Sequence, residues 1–191
     1  MESDGYRLVS GLTIPPMDAA RLTARAVTSG APIFNYNGAT QHNDARRRQC
    51  VVPTADAALP GLRRQLQAAL GDDWPAGGHA TDWVALCSDP GCQVQHRHRD
   101  YNDATRGPTA PLGAVVALQS GTKLDVWPGT HRPGTEARGA PTTVSIPPGS
   151  ALVFSGYLVH RGAAYRTQNS RLHAYIDVPG VPRVPDMTHL C

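Results

Sequence analysis

The clearest pattern of apolar and polar positions in this chain is a strict alternation near its end. Arg171–Val178 has Leu, Ala, Ile and Val at even positions, and Arg, His, Tyr and Asp at odd positions. Successive side chains of a strand point to opposite faces, so this pattern predicts a strand between an apolar core and a polar space. Shorter strand-like segments precede it: Trp83–Leu86, Gly113–Leu118, Lys123–Trp127, Thr142–Ile146 and Ala151–Phe154.

The first third of the chain has helical patterning instead. Asp18 can cap a helix over Ala19–Val27 that ends at Gly30. A second helix is predicted over Gly61–Leu70, where leucines recur at every fourth position, and Gly71 stops it. Helices followed by about seven or eight short strands predict a mostly β fold with flanking N-terminal helices. The fold class expected is a double-stranded β-helix, or jelly-roll, barrel.

Length and composition favour one domain with many turns. The chain has 191 residues, 19 glycines and 17 prolines, which suits short strands better than long helices. We expect a single double-stranded β-helix domain over 1–191. Within it, 1–81 would form helical support and a lid, 82–178 the barrel, and 179–191 a tail that wraps over the surface.

Neither the charge distribution nor the apolar runs indicate a nucleic-acid or membrane partner. The net charge is +3, and Lys123 is the only lysine among 18 basic residues. The arginines are dispersed, so a nucleic-acid surface is weakly supported, and we interpret Arg46–Arg48 as a solvated face. The start lacks the pattern of a signal peptide, and no apolar run is long enough to span a bilayer. A soluble, intracellular and by default cytoplasmic protein without membrane contact is expected.

The four cysteines do not have the spacing of a zinc site. They are Cys50, Cys87, Cys92 and Cys191, and they form no CxxC pair. Cys87 and Cys92 could form a disulfide across the four residues between them, and two free thiols are equally compatible with the sequence. The sequence leaves both alternatives open.

The candidate chemistry lies in His98-Arg99-Asp100, read with His160 and Arg171. His98 and Asp100 are two residues apart, so on an extended segment both side chains point the same way. His160 follows a short apolar strand that could present it to the same place. Two imidazoles and one carboxylate form the facial triad of non-haem Fe(II) oxygenases. Arg171 follows His160 by 11 residues, about one strand and a turn, and could hold an acidic co-substrate.

His96 competes with His98 because it has the same parity on the strand. A His96-x-His98 pair would suit a cupin metal site, but a cupin needs a further Glu and a closer second histidine motif than His160 provides. We therefore interpret His98 as the ligand and His96 as a supporting group around the metal. His131 is expected to fix its turn rather than to bind metal.

The chain resembles the Fe(II)/2-oxoglutarate dioxygenases, and especially their phytanoyl-CoA dioxygenase-like branch. The resemblance covers roughly Trp83–Val178. It implies that His98, Asp100 and His160 bind iron and that Arg171 pairs with the distal carboxylate of 2-oxoglutarate. The motifs that carry it are His98–Asp100, Trp127–Arg132, Pro148–Phe154 before His160, and Asn169–Arg171.

One position departs from that family. Many relatives have a hydroxyl residue two positions after the arginine, whereas this chain has His173, which could donate to the co-substrate from a ring nitrogen. The implied cofactors are Fe(II) and 2-oxoglutarate, with ascorbate as a supporting reductant. The implied reaction couples oxidative decarboxylation of 2-oxoglutarate to hydroxylation or oxidation of a substrate.

Other functions remain open at this point. His98–Asn102 also resembles the start of a motif in 5-methylcytosine oxygenases, which would make a nucleobase the substrate. A cupin-like metal barrel without oxygenase activity and a catalytically dead scaffold are the alternatives from other classes. The expected substrate is a small molecule or a protein side chain. The loops Asn35–Cys50 and Tyr101–Pro111 are expected to determine specificity.

Overall fold

Two β-sheets and two helices make up the described part of the molecule. The computed structural model describes residues 3–28, 31–32, 35–36, 39–40, 44–184 and 187–191. The helices are α1 (Pro16–Thr28) and α2 (Ala58–Leu70), with short 3-10 turns at Gly71–Asp73 and Asp103–Thr105. The strands are β1 (Tyr6–Ser10), β2 (Ala31–Pro32), β3 (Asn35–Tyr36), β4 (Ala39–Thr40), β5 (Arg47–Val52), β6 (His79–Ser88), β7 (His98–Arg99), β8 (Leu112–Ala117), β9 (Thr122–Val126), β10 (Thr142–Ile146), β11 (Ser150–Ser155), β12 (His160–Gly162), β13 (Asn169–Asp177) and β14 (Met187–Leu190).

The larger sheet carries the main core. Its strand order is β1-β11-β8-β13-β6-β5-β2, and every recorded pairing in it is antiparallel. Both helices contribute buried residues to the core cluster on this sheet. The leucine stripe of α2 is buried as predicted, and Gly71 ends the helix with a positive φ of 54°, a conformation that glycine adopts at little cost. The predicted end of the first helix, Gly30, lies outside the described residues.

The central strand β13 has the two faces that its alternation predicts. Leu172, Ala174 and Ile176 belong to the main core cluster. On the opposite face, Arg171, His173 and Tyr175 line a cavity between the sheets, so both faces of the strand are buried. We call these the core face and the cavity face of β13. Burial of both faces places polar groups deep inside the molecule, where each one needs a partner.

The second sheet has the strand order β10-β9-β12-β7-β14-β3-β4. Its β9 and β10 form an antiparallel pair with the predicted polar and apolar alternation. The short strands β7 and β12 lie side by side, with His98 opposite His160. The mostly β, two-sheet architecture is confirmed. Closure of the sheets into a barrel and the division of 1–191 at residues 81 and 178 stay predictions.

The prediction that the first third is helical is wrong for two segments. Tyr6–Ser10 forms β1 and pairs with β11, and Arg47–Val52 forms β5 and pairs with β6. Both segments extend the large sheet. β1 is an edge strand, and β5 begins with arginines that mask its strand character in the sequence.

Two further expectations need correction. The run Arg46–Arg48 is not a solvated face, because Arg47 is only 3% exposed and donates to backbone carbonyls. The tail after residue 179 does not simply wrap over the surface, because Met187–Leu190 forms β14 and pairs with β7 and β3. The predicted specificity loop Asn35–Cys50 lies partly outside the described residues, and its end is already in β5.

The four cysteines are free thiols, so Cys87 and Cys92 form no disulfide. Both are buried, and Cys87 belongs to the main core cluster. Among the described residues, no helix combines the length and the apolar character that crossing a membrane requires.

Candidate metal centre

Three of the predicted site residues come together in one buried cluster. His98 on β7 lies opposite His160 on β12, and their ring centroids are 4.5 Å apart. Asp100 follows β7, and its Oδ1 lies 3.5 Å from Nε2 of His160. One donor atom from each of the three residues lies within 4.8 Å of the other two, and all three side chains are buried. Such a set of donors could converge on one metal ion.

Backbone carbonyls orient both imidazole rings. Nδ1 of His98 lies 2.7 Å from the carbonyl oxygen of His96, and Nδ1 of His160 lies 3.0 Å from that of Leu158. A carbonyl only accepts hydrogen bonds, so each Nδ1 carries the proton and each Nε2 keeps a lone pair. The same device orients histidine ligands in metal sites. The supporting role predicted for His96 thus comes from its backbone carbonyl, while its ring is exposed.

Burial keeps the two imidazoles neutral. Burial, and after it the nearby His160, lower the pKa of His98 to about 3. Burial likewise lowers the pKa of His160, although Asp100 acts in the opposite direction. For Asp100, burial acts to raise the pKa, but His160 and His173 outweigh it and the pKa falls well below its usual value. Two neutral imidazoles and an ionised carboxylate are the donor states that a metal ion requires.

Asp100 has an incompletely satisfied carboxylate. Its Oδ2 is buried and makes no hydrogen bond within the described part of the chain. Nε2 of His173 lies 3.4 Å from this oxygen. An ionised oxygen in this situation is costly without a cation, because burial removes its water. The donor set and this carboxylate therefore fit a divalent ion such as Fe(II), which takes imidazole and carboxylate ligands.

Arg171 lies at the other end of the same cavity. Its side chain is buried, its Nη1 donates to Ser88 Oγ at 3.1 Å, and its guanidinium carbon lies 5.2 Å from the ring centre of Tyr165. No described carboxylate forms an ion pair with it. A buried guanidinium without an acidic partner can bind an anionic ligand in a bidentate manner.

The cavity between triad and arginine has mixed walls. Its polar lining residues apart from the triad are Gln49, Gln95, Arg171 and His173, and the rest are mainly apolar. Few polar groups in an apolar surface are typical of a small-molecule site. The apolar and aromatic lining residues are Val84, Leu86, Val115, Leu124 and Tyr175.

The chain around the triad is held by fixed contacts. Thr130, in the Trp-Pro-Gly-Thr-His turn, donates to the Trp127 carbonyl at 2.6 Å and accepts from the Val159 N–H at 3.0 Å. That second bond fixes the backbone next to His160. Tyr101, directly after Asp100, is fully buried and donates to Asp177 Oδ1 at 2.6 Å. Both ligand-bearing segments are therefore positioned by buried hydrogen bonds.

Several residues around the cavity were not predicted as site residues from the sequence. Ser88, Tyr165 and Arg47 contact Arg171 or its hydrogen-bond partner, and Ser88 and Arg47 lie far from Arg171 in sequence. The sequence does contain a partial signal for Ser88. It is separated by two and four residues from Leu86 and Val84, so on a strand it lies on the same face as these two residues. His131 lies outside the triad and packs against Gly5, in keeping with a role in its turn.

No protein-family model and no curated protein matches this chain. Solved structures with the same fold include the non-haem alpha-ketoglutarate-dependent carbocyclase SnoK from nogalamycin biosynthesis. It is 16% identical with a TM-score of 0.63, over 94% of this chain and 84% of that one. A Pseudomonas putida prolyl-4-hydroxylase is 16% identical with a TM-score of 0.60, over 93% and 95%.

A third similar structure holds ligands. The epimerase SnoN in complex with Fe3+, alpha-ketoglutarate and nogalamycin RO is 16% identical with a TM-score of 0.59, over 98% of this chain and 94% of that one. The structural neighbours of this chain are thus Fe(II)/2-oxoglutarate-dependent oxygenases, and a His-Asp-His triad is present here. At these identities the likeness shows the fold.

Proposed function

We propose that this protein is a non-haem Fe(II) dioxygenase that couples oxidative decarboxylation of 2-oxoglutarate to the oxidation of a second substrate. The observation that carries the proposal is one buried cavity lined by His98, Asp100, His160 and Arg171. The triad supplies metal donors, and the arginine supplies a carboxylate-binding group. The solved structures with this fold include enzymes that use both cofactors, which supports the same pair here.

Each residue has a distinct task in this proposal. His98 and His160 would hold iron through Nε2, because each Nδ1 faces a carbonyl. Asp100 would supply the anionic ligand, and Arg171 would orient the oxoacid by its far carboxylate. Bound iron and 2-oxoglutarate together supply the oxidant that attacks a substrate C–H bond. The apolar walls of the cavity exclude water from that reaction.

We propose for His173 a different task from the one that the sequence predicts. Its Nε2 lies 3.4 Å from Asp100 Oδ2, so it contacts the carboxylate of the triad. Its ring also stacks near Phe154, with centroids 6.1 Å apart. We propose that His173 orients Asp100, and that the carboxylate of the oxoacid is bound elsewhere in the cavity.

The proposed substrate is a small molecule or an exposed side chain, and hydroxylation is the proposed outcome. Solved structures with this fold include hydroxylases, a carbocyclase and an epimerase, so the fold itself permits several outcomes. The phytanoyl-CoA-like branch stays a prediction. A cupin-like metal barrel without oxygenase activity would bind the metal but would not consume 2-oxoglutarate.

The decisive experiment adds Fe(II) and then 2-oxoglutarate to the protein without oxygen. We expect a weak visible absorption band from the metal–oxoacid complex, and consumption of 2-oxoglutarate once oxygen is admitted. Arg171→Ala should lose the band, whereas Arg166→Ala should keep it because Arg166 is exposed. Metal binding without any response to 2-oxoglutarate in the unaltered protein would contradict the proposal and favour the metal barrel.

A further inference from the structure

Arg171 is not the only arginine buried at its end of the cavity. Arg47, on β5, is 3% exposed, and its Nη1 donates to Ser88 Oγ at 3.2 Å. Arg171 donates to the same oxygen at 3.1 Å from the other side. Two guanidinium groups therefore share one hydroxyl oxygen inside the protein. Burial, and after it repulsion by Arg171, lower the pKa of Arg47.

Arg47 is fixed in place by contacts that leave it little freedom. Its Nη2 donates to the carbonyl oxygens of Gln93 at 2.5 Å and Ala163 at 2.6 Å, and its Nε donates to Gln93 at 3.1 Å. Gly162 lines the cavity, and a Cβ there would lie 2.9 Å from Arg47 Nη1. The close approach thus depends on glycine. Arg47 holds Ser88 from behind and does not itself line the cavity.

The geometry leaves the Ser88 proton without a recorded acceptor. Both lone pairs of Ser88 Oγ receive hydrogen bonds from the arginines, so its O–H must donate to another group. No acceptor for it occurs within the described ranges. Ser88 follows Val84 and Leu86 at the same parity on β6, and those two residues line the cavity. A ligand oxygen beside Arg171 would accept this proton.

The nearby negative charge is insufficient for two cations. The carboxylate paired with Arg47 is that of Asp44, at 3.7 Å, and its side chain is 22% exposed. Arg171 has no ion pair with any carboxylate of the described segments. Two buried cations with one partly solvated anion are unfavourable unless a further anion binds near them.

We propose that Ser88 and Arg47 complete the binding site for the distal carboxylate of the oxoacid. Ser88 binds the carboxylate through its hydroxyl, and Arg47 is a positioning residue that fixes Ser88 and adds positive potential behind Arg171. This inference rests on the proposed function. The site would then include a residue from the N-terminal third of the chain, Arg47 on β5, a strand that was not predicted from the sequence.

The test measures selectivity between two ligands on the Fe(II)-loaded protein without oxygen. 2-Oxoglutarate has the distal carboxylate, and 2-oxobutyrate has a hydrogen atom in its place. The dissociation constant of 2-oxobutyrate divided by that of 2-oxoglutarate, both measured by calorimetry, reports contacts to that carboxylate. We expect Ser88→Ala and Arg47→Met to lower the ratio about tenfold each, as for loss of a hydrogen bond to a charged group.

Matched variants separate this effect from general damage. Ser88→Thr keeps the hydroxyl and should restore the ratio. Arg48→Met removes the neighbouring arginine, which lies on the opposite face of β5 and pairs with Asp89 at 2.7 Å, and should leave the ratio unchanged. If Arg47→Met fails to fold, the Ser88→Ala and Ser88→Thr pair decides alone.

Two results would overturn different statements. Equal selectivity in the unaltered protein, Ser88→Ala and Arg47→Met would overturn the role of Ser88 and Arg47, with the proposed function intact. An equal weakening of both ligands would do the same, since it would show a defect that is not confined to the carboxylate. Failure of the unaltered protein to bind 2-oxoglutarate would instead overturn the proposed function itself.

Discussion

The two faces of β13 are both buried, but different forces hold them. On the core face, Leu172 and Ile176 pack in the main apolar cluster, where burial itself is stabilising. On the cavity face, Arg171 and His173 are also buried, where burial is costly and each polar group depends on a specific partner. The core face should therefore determine stability, and the cavity face with its neighbours should determine binding.

The largest expected effect is the loss of activity in Asp100→Ala, a substitution on the cavity side. Loss of the anionic donor should reduce Fe(II)-dependent consumption of 2-oxoglutarate about 1,000-fold, because the metal loses both a ligand and its charge balance. The melting temperature should change little, since a costly buried charge is removed as well. Asp103→Ala is the matched control, because Asp103 is partly exposed and pairs with Arg106. Full turnover in Asp100→Ala would refute the ligand assignment.

The core face is tested by Leu172→Ala. Leu172 is fully buried, so the truncation should lower the free energy of unfolding by about 2–5 kcal/mol through lost apolar contacts and a cavity. Urea denaturation measures this loss. The folded fraction should still bind Fe(II) with unchanged affinity. Val51→Ala, at a 59% exposed position, should lose much less stability. A Leu172→Ala variant that keeps its stability but loses the metal would contradict the assignment of stability to the core face and of binding to the cavity face.

A smaller effect is expected from Tyr101→Phe, which alters the support beside the triad. Removing the hydrogen bond to Asp177 should cost about 1–2 kcal/mol of unfolding free energy. Burial and the Asp177 carboxylate raise the pKa of Tyr101, so the folded protein keeps this phenol protonated at pH values where the unfolded chain has lost the proton.

Because the pKa of Tyr101 is raised in the folded protein, the stability that Tyr101 contributes depends on pH. The stability contributed by the neutral phenol is fully present below about pH 10, the usual value for tyrosine, and is lost as the pH rises further. The unaltered protein should therefore lose stability above pH 10 more steeply than Tyr101→Phe does. Denaturation curves from pH 8 to 11 measure both slopes, and parallel slopes would argue against a neutral buried Tyr101.

The smallest effect is expected from His96→Ala. The carbonyl of His96, not its ring, accepts the hydrogen bond from His98 Nδ1, and alanine retains that carbonyl. Fe(II) affinity should stay the same, and stability should change by less than about 0.5 kcal/mol. A clear loss of iron, measured by anaerobic titration, would show that the ring takes part and would revive the cupin-like interpretation.

The sequence predicted the parts of this molecule that have regular periodicity. The alternation of β13 and the leucine stripe of α2 each repeat a short local pattern. The first predicted which face of β13 joins the core, and the second predicted which leucines of α2 are buried. His98 and Asp100 could be predicted for the same reason, since they are close neighbours in sequence. Local spacing decides such features before any tertiary contact forms.

The remaining features depend on partners that are distant in sequence. Arg47 is buried because the carbonyls of Gln93 and Ala163 accept its protons, and nothing near residue 47 indicates them. The contact between His173 and Asp100 arises likewise from two different segments. Arginine-rich segments are usually solvated. For this reason the arginines at the start of β5 did not indicate a buried strand.

The pairing of β7 with β12 has a consequence for how long the protein would survive in a cell. β7 has two residues, and its contact with β12 is the single pair His98 and His160. An ion held by both would link two strands that have few bonds of their own. At a concentration 100 times the dissociation constant, such binding adds about 2.7 kcal/mol to folding. Proteases would then degrade the iron-depleted form first, and cellular iron supply would set the turnover of the protein.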